Sequence, residues 1–230
     1  MNKIALLVQC GDGGTKWIPY FMNYYNKNWI CDDFIDTVFL FENDVPEIVS
    51  EKKNVHIEKM GNVVWGKGML NYLNKSKYDN FILIHEDYFL KNKQKVTIMK
   101  KLIGIVQKYN MRLLKICGDW AGYTSDKKVF VQDDKLSLRE SIFLYDRENK
   151  YLLSHQPSIW SKELLLATIK PEYNPWQHEI DGNEDAKKFA LFAYLKTPPM
   201  PYAECVTAGK ARPGSEKFFE RIEAEVNGKN

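Results

Sequence analysis

The stretch Phe81-Ile82-Leu83-Ile84-His85-Glu86-Asp87-Tyr88-Phe89 holds the most apolar run of the chain and, directly behind it, two adjacent carboxylates. A short apolar run bounded by polar residues predicts a buried strand. In open α/β sheets ligands bind at the carboxyl ends of strands, so His85, Glu86 and Asp87 stand where a site would form. Hard carboxylate oxygens there suit a divalent cation that bridges to a diphosphate. A solvated acidic turn would look the same in isolation. Tyr88, Phe89 and Leu90 follow at once, however, and put Asp87 at a buried, shaped edge.

Upstream, residues 4–8 and 37–41 are two further apolar runs, with 55–57 a shorter third. The first runs into Gln9-Cys10-Gly11-Asp12-Gly13-Gly14, a loop by its glycines. Residues 17–25, with Pro19 near the start, predict a short helix. Trp65, Met69, Tyr72 and Leu73 recur at the spacing of one helix face. Downstream, 96–109 predicts a helix, 112–117 a strand and 118–134 a polar loop. Residues 141–144 and 151–153 read as the arms of a hairpin around a turn at 147–150. Ser161 caps a helix over 162–169, and further helices are expected over 185–195 and 215–226. Strands alternate with helices, then pair locally. That order predicts an α/β fold with a mostly parallel twisted sheet, flanking helices and a smaller antiparallel addition. One domain over 1–230 is expected, in halves 1–118 and 119–212 followed by a C-terminal helix within 213–230.

The 230 residues are 44% hydrophobic and 27% charged, which is ordinary for a globular chain and excludes a mainly disordered one. Lys and Arg number 33 against 30 Asp and Glu, and a net charge of +3 excludes nucleic-acid binding driven by overall charge. A local basic groove is compatible with it. No apolar run approaches the ~20 residues of a membrane span. The apolar part of the N-terminus is shorter than the ~7–15-residue core of a signal peptide, so a cytoplasmic location is expected. Cys10, Cys31, Cys117 and Cys205 show neither a Cys-x-x-Cys pair nor a zinc pattern, and read as free thiols of a reducing compartment.

Aromatic residues make up 13%, and several stand beside polar or acidic ones. Ser154-His155-Gln156-Pro157-Ser158-Ile159-Trp160 and Asn174-Pro175-Trp176-Gln177-His178-Glu179 would make a pocket that stacks sugars or bases. Glu179, and after it His178, are candidates for a general base on a hydroxyl. Equally, Trp160 and Trp176 would serve as core, with the histidines bonded in loops. The glycine loop after the first strand is neither a phosphate-binding GxxxxGK[ST] loop nor a GxGxxG fingerprint, and no GxSxG elbow occurs.

Together these segments resemble small GT-A-type, family 2-like glycosyltransferases of bacteria and their viruses. The resemblance rests on Trp65 leading a helix with Leu70, on Phe81–Phe89, on His155–Trp160 and on Asn174–Glu179, and covers residues 1–212. It implies a nucleotide-sugar donor, commonly a UDP-sugar, lying across residues 1–118, with the acceptor and catalytic groups in 119–212. Gln9, Cys10, Gly11 and Asp12 would face the nucleoside, and Trp65, Lys67, His85 and Glu86 would also hold the donor. Asp87 would be the carboxylate that holds Mn²⁺ or Mg²⁺, and Glu179 the base of an inverting transfer, with His178 sharing that role. Tyr88, Gln156, Trp160, Trp176 and Lys210 would meet the acceptor, and Lys67 or Lys210 would neutralise the departing diphosphate. His85 stands where the family's DxD motif has its first acid, and His178 replaces an aromatic residue. The acceptor is a saccharide or, as the second option, a hydroxymethylated pyrimidine in phage DNA. Lys91, Lys93, Lys95, Lys100 and Lys101 would track a phosphate backbone in that case and form a solvated face otherwise. A non-catalytic binding module is the alternative of another class, and a nucleotidyltransferase a third, for which GDGGTK supplies a poor basic loop.

Overall fold

The computed structural model describes residues 3–47, 52–117, 129–131 (backbone only), 142–145, 148–149, 151–195, 199–207 and 209–226. In chain order the elements begin with β1 Ile4–Cys10, a 3-10 turn Asp12–Trp17, α1 Ile18–Asn28, β2 Asp36–Phe41 and β3 Val55–Lys59. Next come α2 Trp65–Lys75, β4 Asn80–His85, β5 Tyr88–Leu90, α3 Val96–Tyr109, β6 Leu113–Lys115, β7 Val129–Val131 and β8 Ile142–Leu144. The last group is β9 Ser158–Ser161, α4 Lys162–Thr168, α5 Pro175–Ala186, β10 Phe192–Leu195, β11 Tyr202–Glu204, β12 Val206–Thr207, β13 Lys210–Ala211 and α6 Glu216–Val226.

Nine strands form one sheet in the order β3-β2-β1-β4-β9-β6-β10-β8-β7. Only β9 and β8 run against the other strands, so the sheet is mostly parallel as expected. Two small antiparallel pairs, β5 with β11 and β12 with β13, stand beside it. Every residue of β1 is buried, because helices cover both faces and strand side chains alternate between them. Leu6, Val8, Phe39, Ile82 and Ile84 join α1, α3 and α6 on one side. Ala5, Leu7, Val38, Phe81 and Leu83 join α2 and α4 on the other. In this register Gln9 is level with Leu40 on one neighbour and His85 on the other, so the loops after β1 and β4 leave the sheet side by side.

The second half departs from expectation in three places. The hairpin expected from 141–144 and 151–153 does not form: β8 pairs with β10 and β7 instead. Leu152 and Leu153 are held outside any strand, their N–H groups donating to the Asn183 side chain at 2.9 and 3.3 Å. The helix expected over 185–195 is likewise displaced. Asn174 and Gln177 form a capping box that starts α5 at Pro175, and the chain reverses at Leu191 (φ 65°) before the buried run Phe192–Leu195 enters the sheet. Ser158–Ser161, immediately before the α4 cap, is a strand between β4 and β6. Most of the polar loop expected over 118–134, and residues 147 and 150 of the expected turn, lie outside the described residues.

Candidate functional site

The loops that leave β1 and β4 border a cavity of about 540 Å³. Gly11, Gly13 and Gly14 form one wall, His85 to Tyr88 a second, and Glu204, Gly209 and Arg212 a third that arrives from the C-terminal hairpin. A second cavity of about 260 Å³ lies over the end of β6 and is lined by Lys115, Tyr145, Tyr151 and Gln156 among others. Tyr88, Trp176, Glu179 and Glu204 line both. Glu179 therefore stands at the junction.

Local structure explains how each group is held. The chain turns after β4 so that Glu86 points inward, only 7% exposed, into space left by the missing side chain of Gly14. Burial, then repulsion from Asp87, pushes the Glu86 carboxyl up to about 8. Burial also raises Asp87, to about 6, with Glu204 adding to the rise and Arg212 opposing it. Arg212 is paired with Glu204 across the hairpin and bonds Thr207 as well. Asp12 does not enter the cavity; its carboxylate accepts from Asn43 N and Nδ2 (both 2.9 Å) and Asp44 N (3.1 Å), tying the loop after β1 to the loop after β2. Those bonds hold it below the ordinary carboxylate range.

Glu179 projects from the first turns of α5, and the His155 N–H donates to its Oε1 at 2.5 Å. Burial raises its pKa; the His155 N–H, Lys115 and Ser154 pull the other way. Beneath it lies an aromatic nest. The His85 ring stacks on His155 at 5.7 Å, and Trp65 contacts His155 and His178 at 5.3 and 5.7 Å. Burial keeps His85 neutral down to about 4 and His178 down to about 3.

Gly11, His85, Glu86, Asp87, Tyr88, Trp176 and Glu179 thus meet at one cavity, and Gln156 reaches the other. Others sit elsewhere. Gln9 is buried and accepts from Trp65 Nε1 at 2.8 Å, so this pair forms a floor and not a contact surface. Cys10 and Trp160 are core, and burial pushes the Cys10 thiol up. His178 is fully buried with both ring nitrogens engaged, which leaves no face for an acceptor. Lys67 and Lys210 are exposed and line neither cavity. Sequence reasoning missed Glu204, Arg212, Lys115 and the tyrosines at 145 and 151. The one available signal was the basic segment from Gly209, in which Arg212 and not Lys210 faces the cavity.

Sheet order and site position together define a GT-A-like α/β fold. Over 99% of its length the chain superposes on S. aureus TarS, a glycosyltransferase, with a TM-score of 0.55 and 13% identity. It spans 39% of that chain's length. TarS 1–349 in complex with UDP matches over 97% of this chain and 65% of its own, at TM-score 0.51 and 13% identity. UDP-glucose pyrophosphorylase complexed with UDP-glucose matches over 99% of this chain and 100% of its own, at TM-score 0.52 and 14% identity. No protein-family model matches the sequence, and no curated protein matches it. No helix among the described residues is long and apolar enough to cross a membrane.

Proposed function

We propose that this chain is a glycosyltransferase that moves a sugar from a nucleoside-diphosphate sugar to an acceptor hydroxyl. The observation that carries the reading is the position of Glu179 on the wall shared by two cavities, one of which bears the acidic strand end Glu86-Asp87. The donor would occupy the larger cavity and the acceptor the smaller. The acceptor oxygen then attacks the anomeric carbon, the bond from that carbon to the diphosphate oxygen breaks, and Glu179 takes the acceptor's proton. Attack from the face opposite the leaving group would invert the anomeric centre. A uridine nucleotide is favoured because folds of this shape hold UDP and UDP-glucose.

Mn²⁺ or Mg²⁺ fits the donor set, since Asp87 and Glu204 both present carboxylates to one cavity and would hold it there. Among the described residues no three His, Cys, Asp or Glu side chains converge as a metal site, so diphosphate and water oxygens would complete the shell. When bound, the cation supplies charge against the departing diphosphate. Arg212 adds to that charge from the hairpin, in the role first expected of Lys67 or Lys210.

Four aromatic residues, Tyr88, Tyr145, Tyr151 and Trp176, line the smaller cavity, and aromatic faces stack on sugar rings. Lys91, Lys93, Lys95, Lys100 and Lys101 line neither cavity, which favours a saccharide acceptor over DNA. Lys16, the basic residue of GDGGTK, lies over the Trp17 ring at 5.0 Å and lines neither cavity.

Incubation with UDP-glucose or UDP-N-acetylglucosamine, Mn²⁺ and simple saccharides tests the proposal. Release of UDP that depends on Glu179 supports it. Formation of UTP from UDP-glucose and pyrophosphate would replace it with nucleotidyl transfer. Binding without any turnover would make the chain a binding module.

A further inference from the structure

The Thr168 hydroxyl lies 2.8 Å from the Leu164 carbonyl oxygen and 2.8 Å from His178 Nε2. A carbonyl only accepts, so the single hydroxyl proton goes to Leu164, and Thr168 has only lone pairs left for His178. His178 must therefore carry its proton on Nε2. Its Nδ1 is then a bare acceptor, and His155 Nε2, at 2.7 Å, must be the donor to it. The hydroxyl proton and both ring protons of this relay are assigned by the one carbonyl. Both histidines are 3% exposed or less, and burial holds each neutral, which such an arrangement requires.

The two rings belong to separate pieces of the site. His178 precedes Glu179 on α5, whereas His155 belongs to the loop that places Gln156 in the smaller cavity. That loop's His155 N–H is the group bonded to Glu179 Oε1. We propose that Thr168 is a positioning residue: through His178 and His155 it sets a one-way hydrogen-bond relay that staples the 154–157 loop to α5 and so fixes the Glu179 carboxylate. The catalytic part of this inference rests on Glu179 being the base; the relay itself does not.

Three proteins test it: wild type, Thr168→Val, which keeps shape and loses the hydroxyl, and Thr168→Ser, which restores it. Long-range ¹⁵N–¹H NMR of the imidazoles should show both His155 and His178 as Nε2–H in wild type and in the serine variant. The valine variant should lose that pattern at His178. The His155 backbone amide proton, shifted downfield by the carboxylate, should move upfield in valine and return in serine. These readings need no substrate. An Nδ1–H form of either ring in wild type overturns the relay even if no variant folds. In a transfer assay the valine variant should lose about tenfold in kcat with donor KM within about twofold, and serine should recover it. An unchanged kcat, or a change confined to KM, overturns the positioning role. Absence of any transfer by wild type would defeat the glycosyltransferase reading, and the NMR result would still decide the relay.

Discussion

Gly14 and Glu86 share one volume: a Cβ built on Gly14 would lie 1.5 Å from Glu86 Oε1. The glycine loop after β1 can pass over the acidic end of β4 only because position 14 lacks a side chain. Gly14→Ala should therefore destabilise the fold by about 1–3 kcal/mol, as overpacking does. Shortening the partner should undo it. In urea unfolding, Gly14→Ala/Glu86→Ala should be less destabilised than the two single changes predict together. Strict additivity would show that the two residues do not compete for that space.

The same buried carboxylate sets a pH dependence. Glu86 is raised from an ordinary 4.5 to about 8, so the folded protein holds this proton more tightly than the unfolded chain does. The resulting stabilisation is complete below about 4.5 and is lost as pH rises through about 8. The ligand-free protein should melt at a lower temperature at pH 9 than at pH 5, by ~2–4 °C for each kcal/mol lost. Glu86→Gln should flatten that slope. Addition of Mn²⁺ at pH 8 should raise the Tm of wild type and leave Asp87→Ala unmoved.

Glu179→Gln should lower kcat by about 10²–10⁴, the range of a lost general base, with little change in donor KM. Burial raises the carboxyl, and a base works only when ionised, so wild-type kcat should climb with pH through a midpoint above the ordinary glutamate range. The glutamine variant should lack that limb. A variant with unimpaired kcat, or a product that NMR shows to have retained configuration, removes Glu179 from the role.

Much of this arrangement could be read from local pattern because its parent strands are buried on both faces. The runs in β1, β2 and β4 are apolar without interruption, and the acids of the site follow one of them directly. The second half is different. Ala, Leu and Lys around 186–195 favour a helix, yet Phe192–Leu195 lies between β6 and β8, and pairing on both sides overrides that preference. Pro157 and the four-residue length of β9 hid a central strand in the same way. Within the site, Arg212, Glu204 and Lys115 come from distant segments that only the fold brings together. Gln9 and Trp65, donor contacts by the family resemblance, are bonded to each other at 2.8 Å in the interior, a pairing across 56 residues that only the fold makes.

Trp176 separates surface chemistry from stability. Its side chain is 66% exposed yet lines both cavities, so little core depends on it. Trp176→Ala should leave the Tm within about 2 °C of wild type, since surface changes cost within about 0.5 kcal/mol. Loss of one stacking face should cost about 0.5–1.5 kcal/mol of acceptor binding, a rise of about 2- to 12-fold in acceptor KM. Trp176→Phe, which keeps an aromatic face, should recover most of it. Acceptor kinetics at saturating donor would show this, with donor KM as the control. If the donor KM rose while the acceptor KM stayed level, the exposed ring would belong to the nucleotide-sugar side of the junction, and the assignment of the two cavities would have to be exchanged.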